Sequence, residues 1–547
     1  MKDSEDLISE ATNLADETRA QGVQKPRMLV EYSSPEQTVA SLRDVLASAG
    51  ALYDRGVPVR LTHDRLQHCA YAQIVTPDCL VLIAHMQCRP YTLKEKGGQL
   101  VEANVRLPRN CAAMYLEWRG EWRLPPLNGI TSAPLLKEDG TINSSNGYDS
   151  ASGVWCENMP DLTGLVPDRP SKEAATAALR LLRNSFRTFC FADSHTIIDP
   201  ATGLAVVDIT RPPGQDESGL LAGLATAVCR ASVPLAPGLL LKAAPVSGAG
   251  SGKGLLARCI CAIAYGQKPH AVTGGGTAEE LEKRIAAELM QGGPVVFLDN
   301  LNNTAVKSDL LASALTEIPA RVRVLGKSQM VSLNSSAFVI LTGNGLTVAE
   351  DLSRRFITVN LDARIEDPET RAFKTDILTE VFAQRTELLA AILTIWRWGM
   401  KTSLAPGLPL GSFQQRCCWV RDPLIALGCQ DVAARVAETK IQDARRQDIA
   451  RLFENWSERH GANPVAVRDL DVVLVTALDP QGRGRQYVAA RLEKLVGTRL
   501  AGFVLTRQAA AGKWGAATYS LAKTSEHRAH RGLGGNGSDA PYGPYAH

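Results

Sequence analysis

The sequence predicts an α/β protein organised around a phosphate-binding loop, and three stretches carry this prediction. Residues 239–258 are typical of a buried strand, a glycine-rich loop and the start of a helix. Residues 293–300 form a short apolar run that ends in an acid, and residues 336–344 form one that ends in an amide. Such runs are typical of central parallel strands, whose carboxyl ends meet at one edge of the sheet.

The loop in the first stretch offers the groups that bind phosphate. Its glycines let backbone N–H groups turn inward, Lys253 can reach the outer phosphates, and the positive end of the following helix points to the same place. The candidate residues for binding the nucleotide are Ser247, Gly248, Gly250, Ser251, Gly252, Lys253 and Gly254. The predicted ligand is a nucleoside triphosphate.

The loop departs from the usual P-loop pattern at two positions. Ser247 stands where the pattern has a glycine, and Gly254 stands where it has a serine or threonine. The second change removes the hydroxyl that normally binds magnesium, so another acid has to hold that ion. A glycine-rich turn without a ligand remains the alternative for the loop alone.

The strands that follow supply this acid and other polar groups. Asp299 is the candidate ligand for magnesium, and Asn344 is the candidate for orienting the attacking water. Arg354 and Arg355 precede a further strand and could stabilise a transferring phosphate. Four polar elements in this order favour a triphosphatase.

With these motifs, residues 236–365 resemble the ATPase core of AAA+ proteins, and among them most closely the superfamily 3 helicases and the primase-helicase proteins of phages and mobile elements. The resemblance implies ATP and Mg²⁺ as ligands, with Lys253 as the Walker A lysine, Asp299 as the Walker B acid and Asn344 as sensor 1. It also implies that Arg354 or Arg355 is the finger that reaches a neighbouring subunit in a ring, expected to be a hexamer.

Asn300 departs from the family, which usually has an acid at this position to polarise the water, and an amide cannot take a proton. Either hydrolysis is slow, or another acid substitutes for it. Glu279, Glu280 and Glu282 lie near the start of a helix predicted from the capping box at 277–280. Capping or solvated glutamates are the alternative reading of these three residues.

Bulk properties indicate a soluble, reduced, cytoplasmic protein. The chain has 547 residues, a net charge of +3 and twelve cysteines that follow no metal-ligand spacing. No apolar run approaches the roughly 20 residues that cross a bilayer, so no membrane partner is expected. Residues 1–25 form a polar tail without the apolar core of a signal peptide.

Residues 26–160 are predicted to form an N-terminal α+β domain. It has a strand from Met28, a helix from Ser34 or Pro35 to Ser48, and extended pieces that include 79–84. The cluster at 118–123 contains two tryptophans, which suit either base stacking or core packing. The domain lacks a strand-borne pair of acids, so primer synthesis is not predicted.

Residues 161–235 are predicted to form a helical collar or linker, with helices at 171–186 and 218–230. These helices suit oligomerisation and ordinary packing equally well. Residues 366–460 are predicted to form a helical lid over the nucleotide, with a long helix at 375–398.

The stretch 321–333 alternates polar and apolar residues around a Gly-Lys-Ser-Gln turn, which indicates a β-hairpin. The resemblance to superfamily 3 helicases implies that this hairpin grips single-stranded DNA, with Arg323 and Lys327 as candidates for contact. The alternative for a lone lysine in a turn is simple solvation.

Residues 461–523 resemble a winged helix, with helices at 467–478 and 486–496 followed by two strands. From residue 461 to the end, eleven lysines and arginines stand against six acids, so this region is locally basic. Arg485, Arg491, Lys513 and Trp514 are the candidate DNA contacts, and protein contact is the competing use. Residues 524–547 are predicted to be a disordered tail.

The sequence therefore predicts an ATP-dependent DNA helicase or translocase that acts in replication of a phage, plasmid or integrated mobile element. Expected partners are single-stranded or forked DNA, other copies of the chain and other replication proteins. The alternative is a DNA-binding AAA+ scaffold or loader that binds ATP as an assembly switch with little or no hydrolysis or unwinding.

Overall fold

The computed structural model describes residues 25–64, 69–245, 248–273, 277–324, 326, 329–371, 373, 375–435, 444–508 and 517–523. The chain divides into two units, residues 1–437 and 438–547.

The first unit begins with short strands and helices. Its elements are β1 (Arg27–Leu29), α1 (Pro35–Ala49), β2 (Tyr53–Asp54), β3 (Pro58–Asp64), β4 (Cys69–Ile74), α2 (Pro77–Gln87), β5 (Arg89–Lys96), β6 (Gln99–Asn104), α3 (Arg109–Glu117), β7 (Gly129–Thr131), β8 (Leu135–Leu136), β9 (Ile142–Asn143), β10 (Gly147–Asp149), β11 (Val154–Cys156), α4 (Lys172–Phe186), β12 (Thr196–Ile198), β13 (Ala205–Val207) and α5 (Gln215–Cys229). The first strands form two three-stranded sheets, with the orders β1-β5-β6 and β2-β3-β4.

The prediction of an extended piece at 79–84 was wrong, because these residues lie in α2. The side chain of Thr76 accepts a hydrogen bond from the backbone N of Cys79 at 3.3 Å, and Pro77 occupies the first turn. Both features start helices. An apolar run of this length does not by itself distinguish a helix from a strand.

The tryptophan cluster at 118–123 belongs to the core of this region. Trp122 is buried and donates from its indole nitrogen to the carbonyl oxygen of Tyr115 at 2.7 Å. The guanidinium of Arg43 lies over the Trp118 ring at 5.0 Å. These contacts favour core packing over base stacking.

A five-stranded parallel sheet forms the centre of the first unit. The elements that build and flank it are β14 (Gly238–Ala243), α6 (Lys253–Tyr265), β15 (Ala271–Thr273), α7 (Ala278–Gln291), β16 (Val295–Asp299), β17 (Ala305–Val306), α8 (Asp309–Thr316), β18 (Ala320–Arg323), β19 (Met330–Leu333), β20 (Phe338–Asn344), β21 (Thr347–Val348), α9 (Glu350–Ser353) and β22 (Phe356–Leu361). The strand order is β15-β16-β20-β14-β22, and every pairing is parallel. The predicted α/β class is confirmed.

The two faces of the sheet are covered by different helices, as the two-residue period of strands requires. Leu239 and Leu241 of β14 pack into a core with residues of α4, α5 and α6. Leu240 faces the opposite side and packs with residues of α7 and α8. Burial on both faces explains why the strands are continuous apolar runs in the sequence.

The hairpin predicted at 321–333 is confirmed, since β18 and β19 pair antiparallel with Arg323 opposite Met330. Lys327, predicted at its tip, lies outside the described residues. The helix expected over 375–398 is two helices, α10 (Ile377–Ala383) and α11 (Arg385–Lys401). A further helical stretch follows, in which α12 (Gln414–Arg416) continues through a π-helical segment, Cys417–Arg421, into α13 (Asp422–Ala426).

The second unit contains α14 (Ala444–His460), β23 (Val465–Ala466), α15 (Val472–Leu478), α16 (Arg485–Leu495), β24 (Arg499–Leu500), β25 (Phe503–Gln508) and β26 (Thr518–Lys523). Its strands form an antiparallel sheet in the order β23-β26-β25-β24. The two predicted helices are present, but the first begins at Val472, because Asp471 caps it by accepting from the N of Val473 at 2.8 Å.

Among the helices in the described part of the chain, none combines the length and apolar character that a bilayer crossing requires.

A buried arginine, Arg55, connects the N-terminal sheets to helix α7. Arg55 is 3% exposed and donates to the carbonyl oxygens of Met290 at 3.0 Å and Leu127 at 2.7 Å, and also to that of Leu289. Two of these carbonyls belong to the last turn of α7, where few intrahelical donors remain, and that of Leu289 also accepts from the N of Gly292 at 3.3 Å. Arg55 therefore caps α7 from a distant part of the chain.

We expect Arg55→Ala to lower the free energy of unfolding by about 3 kcal/mol, because it removes three buried hydrogen bonds to carbonyl oxygens. Urea denaturation followed by circular dichroism measures this loss. Arg109→Ala is the matched control, since it removes an exposed ion pair with Asp78 that is worth about 1 kcal/mol or less. Equal losses in the two variants would contradict the capping role.

Candidate functional site

The carboxyl ends of the central strands bring the loop, the acid and the amide together. Ala243, the last residue of β14, pairs with Asn344, the last residue of β20. Asp299 ends β16, the next strand along. The loop leaves β14 at this edge and returns as α6, which begins at Lys253. Ser247 lies outside the described residues.

The loop is packed so closely that two of its glycines have no room for a side chain. A Cβ on Gly248 would lie 2.2 Å from the carbonyl oxygen of Ala244 and 2.8 Å from Asn344 Oδ1. Gly250 has a φ of +70°, and a Cβ there would lie 2.6 Å from the backbone N of Glu369. Glycine is therefore required at residue 248 by space, and at residue 250 by space and by backbone conformation.

The turn Pro368–Thr370 covers the loop at Gly250, and Arg371 continues from it. Arg371 donates to the carbonyl oxygen of Thr188 at 2.9 Å. Nearby, Cys190 Sγ lies 3.5 Å from the carbonyl oxygen of Ser251. Burial raises the pKa of the Cys190 thiol, and the charge of Arg371 opposes that rise. The segments that contain Cys190 and the turn Pro368–Thr370 therefore both border the loop.

Lys253 holds its ammonium group inside the loop. Its Nζ donates to the carbonyl oxygen of Gly248 at 2.7 Å and to Ser251 Oγ at 3.0 Å. Burial lowers the pKa of Lys253, while the charges of Cys190 and Asp299 act to raise it. A cation with loop oxygens as its partners can exchange them for the oxygens of a bound anion.

Asp299 faces the position of the missing hydroxyl. A Cβ on Gly254 would lie 3.5 Å from each carboxylate oxygen of Asp299. One of these oxygens accepts a short hydrogen bond from Thr342 Oγ1, which also accepts from the N of Asn300 at 3.2 Å. Thr342 therefore orients the carboxylate from the neighbouring strand.

The other oxygen of Asp299 pairs with an arginine. Arg258 Nη2 lies 3.4 Å from Asp299 Oδ2, and its guanidinium lies 5.9 Å from the centre of the Phe297 ring. Arg258 follows Gly254 by four residues on α6, so the two share one face of the helix. A Cβ on Gly254 would lie 2.8 Å from Arg258 Nη1.

Asn344 lies in a network of amides. Its backbone N donates to Asn302 Oδ1 at 2.8 Å, and Asn302 Nδ2 donates to Asn300 Oδ1 at 2.6 Å. Asn300 has a φ of +63°, a left-handed conformation that asparagine tolerates better than most side chains. Asn344 Oδ1 is buried and finds no donor among the described residues, so it is available to a bound group.

The two candidate arginines lie at the amino ends of the strands, whereas the loop lies at their carboxyl ends. Arg354 and Arg355 precede β22, and the N of Gly238, which begins β14, donates to the carbonyl oxygen of Arg355 at 2.9 Å. The loop leaves the other end of β14. Within one chain the structure does not bring these arginines to Lys253, Asp299 and Asn344.

The three glutamates considered as substitute acids have local partners. Glu279 pairs with Lys283 at 3.0 Å, Glu280 pairs with Arg284 at 3.4 Å, and Glu282 accepts from Ser308 Oγ at 2.7 Å. The Thr277 side chain accepts from the N of Glu280, which confirms the predicted cap. These contacts favour the structural reading of the glutamates.

Three of the six candidate DNA contacts fall within the described residues. Arg323 is exposed on β18, Arg485 is exposed at the start of α16, and Arg491 is exposed on the same helix. Arg491 also donates to the carbonyl oxygen of Leu478 at 3.0 Å. Lys327, Lys513 and Trp514 lie outside the described residues.

Sequence reasoning missed Arg258, Thr342 and Asn302. Arg258 has a visible signal, since it stands four residues after the aberrant Gly254, on the same helical face. Thr342 stands two residues before Asn344, on the same side of a strand whose end was already assigned to the site. Asn302 lies in a loop, and no spacing rule singles it out.

The site fits a triphosphate better than it fits a metal held by the protein. The glycine loop, the Lys253 ammonium and the unsatisfied Asn344 Oδ1 suit phosphate oxygens and a water molecule. For magnesium, Asp299 is a single carboxylate that already has Arg258 on one oxygen. Across the described ranges there is no group of three or more His, Cys, Asp or Glu that could hold a metal.

A cavity of about 800 Å³ lies elsewhere in the first unit, lined by residues of β4, α7 and the connection between α6 and β15. None of the candidate nucleotide-binding residues lines it. This cavity is therefore separate from the candidate nucleotide site.

We expect Gly248→Ala to lower the affinity for a fluorescent ATP analogue at least about tenfold, because the new Cβ forces the loop away from Ala244 and Asn344. Fluorescence anisotropy measures this change. Gly293→Ala is the control, because a Cβ there meets no atom within 4 Å. Unchanged binding by a folded Gly248→Ala protein would contradict the role of the loop.

No protein-family model matches the chain, and no curated protein matches it. Among solved structures it is similar to the apo form of the NrS-1 C-terminal region, with 11% identity, a TM-score of 0.33 and coverage of 88% of this chain and 98% of that one. It is also similar to the active helicase Cch of SCCmec type IV, with 11% identity, a TM-score of 0.30 and coverage of 85% and 93%. These likenesses are too distant to transfer residue roles.

Proposed function

We propose that this chain is a P-loop ATPase that acts on DNA as a helicase or translocase. One observation carries the proposal: the glycine loop with Lys253, the carboxylate of Asp299 and the amide of Asn344 meet at one edge of a parallel sheet. In open α/β sheets, ligands bind at the carboxyl ends of the strands. Action in replication of a phage, plasmid or integrated element follows from the sequence resemblance.

Each residue of this edge has a definite task. Lys253 and the loop N–H groups bind the outer phosphates, and Asn344 accepts from the attacking water and orients it. Asp299 is the acid that would hold magnesium if the ion displaced Arg258 from it, and such an ion would polarise the phosphoryl oxygens. Thr342 keeps the Asp299 carboxylate pointed at that place.

The position of Arg354 and Arg355 supports an assembly. They lie at the ends of the strands away from the loop and do not reach this chain's own nucleotide site, so an arginine finger at either position would act on the nucleotide of a neighbouring chain. A ring in which each chain offers its loop to one neighbour and its arginines to the other satisfies this geometry, and we propose a hexamer.

The DNA partner is supported by two exposed basic features, one in each unit. In the first unit, the β18–β19 hairpin carries the exposed Arg321 and Arg323. In the second, α15, α16 and the antiparallel strands follow the order of a winged helix, with α16 as the helix that would contact DNA. The part of the predicted lid, 366–460, that belongs to the first unit would cover the nucleotide, with the turn at Pro368–Thr370 already against Gly250, whereas its last helix, α14, packs in the second unit.

A second function, an ATP-dependent scaffold or loader on DNA, is favoured by two residues. Gly254 offers no hydroxyl to magnesium, and Asn300 offers an amide where an acid would accept a proton. In this function ATP drives assembly, and strand separation is absent.

We expect Lys253→Ala to abolish DNA-stimulated ATP hydrolysis and forked-duplex unwinding, because the outer phosphates lose their cation. Phosphate release and strand-separation assays measure both activities. Lys172→Ala, which changes an exposed lysine of α4, is the control. Wild-type turnover with strand separation supports the motor, ATP-dependent oligomers without turnover support the scaffold, and the absence of nucleotide binding overturns both.

We expect Arg485→Ala to weaken DNA binding by the full chain and to lower the slope of log affinity against log salt by about 0.7 to 0.9, as the loss of one phosphate contact does. Arg451→Ala is the control, because this exposed arginine of α14 pairs with Asp448. Equal salt slopes in wild type and Arg485→Ala would contradict a DNA contact through α16.

A further inference from the structure

Arg258 fills the space that the missing side chain of residue 254 would occupy. A Cβ on Gly254 would lie 2.8 Å from Arg258 Nη1 and 3.5 Å from both carboxylate oxygens of Asp299. The guanidinium therefore lies between the start of α6 and the acid that ends β16. No sequence motif of the phosphate loop places a cation there.

The same space is where a magnesium ion would lie in a loop of the usual pattern. With a Mg–O distance of about 2.1 Å, an ion bound to a serine hydroxyl at residue 254 would be about 3 Å from the Cβ. Arg258 Nη1 is at nearly this distance from the Cβ position. Arg258 also pairs with Asp299, the acid that such an ion would need, so the guanidinium and the ion would compete for one carboxylate, and their charges repel.

We infer that Arg258 takes the place of the magnesium ion when a triphosphate binds without metal, so that this site accepts metal-free nucleoside triphosphate. The inference rests on the proposed nucleotide-binding function. A guanidinium is planar, always charged and able to bond two phosphate oxygens at once. It can therefore neutralise the β- and γ-phosphates beside Lys253.

The surroundings of Arg258 suit this task. Asp299 Oδ2, at 3.4 Å, and the ring of Phe297 hold the guanidinium near the loop. The Arg258 side chain keeps 35% of its exposure, so its end has room to turn toward a ligand. Thr342 holds the other oxygen of Asp299, which leaves the carboxylate fixed while the arginine moves.

Gly254 and Arg258 are a matched pair in this arrangement. Because residue 254 has no side chain, Arg258 can lie against the helix start. A serine at 254 would push the guanidinium away, since the contact is with the flexible end of the arginine side chain. It would also restore the hydroxyl that binds magnesium.

The experiment is a titration of a fluorescent ATP analogue into the full chain, once with Mg²⁺ and once with EDTA. We expect the wild-type affinity to change by less than about threefold between the two conditions. Arg258→Gln should lose at least about tenfold in EDTA and less than about threefold with Mg²⁺. Gly254→Ser should show the same dependence on the metal.

Arg180→Gln, on the exposed face of α4, is the matched arginine control and should behave as wild type. Circular dichroism establishes that each variant is folded. Wild-type binding that is lost in EDTA, or Arg258→Gln binding that is unchanged in EDTA, overturns the inference and leaves the proposed function standing. No binding of the analogue in either condition overturns both.

Discussion

The parallel pairing of β14 with β20 on one side and β22 on the other is the constraint on which the site depends. It fixes Ala243 beside Asn344 at one end and Gly238 beside Phe356 at the other. β14 is buried on both faces, so its register cannot slip without exposing apolar side chains. The start of the loop, the amide and the acid are placed by backbone hydrogen bonds between strands.

A single missing side chain reorganises the chemistry at this edge. Without a hydroxyl at residue 254, Asp299 takes its partners from Thr342 on the next strand and from Arg258 on the next helical turn. The amide of Asn300 enters a second network with Asn302, which continues to the backbone of Asn344. At both Gly254 and Asn300, where the sequence departs from the expected residue, other side chains of this chain supply the neighbouring contacts.

Much of the fold could be predicted because its signals are local. Apolar runs that end in Asp299 and Asn344 indicate central strands, and the capping box at Thr277 indicates the start of α7. The stretch in α2 was misassigned because periodicity is uninformative in a short apolar run, whereas the cap at Thr76 decides it. Where a local signal exists, the errors of prediction concern the boundaries of elements and the type of element formed by short apolar runs.

The partners of the site residues could not be predicted in the same way. Arg55 caps a helix more than two hundred residues away, and Asn302 reaches Asn344 from a loop. Such contacts depend on which loops and helix ends the fold brings together. Arg258 could be predicted in part. Its spacing from Gly254 is visible in the sequence, but its charge partner, Asp299, is known only from the packing of β16 beside α6.

The separation of Arg354 and Arg355 from the loop has a consequence for any mixed population of chains. If each nucleotide is served by two neighbours, a defective copy that retains its fold impairs an adjacent healthy copy as well as itself. A minority of defective subunits then lowers the total activity by more than the fraction of subunits that are defective. In a cell that carries both alleles, a loss-of-function allele would then be dominant, because the loop and the arginines lie at opposite ends of the strands of one sheet.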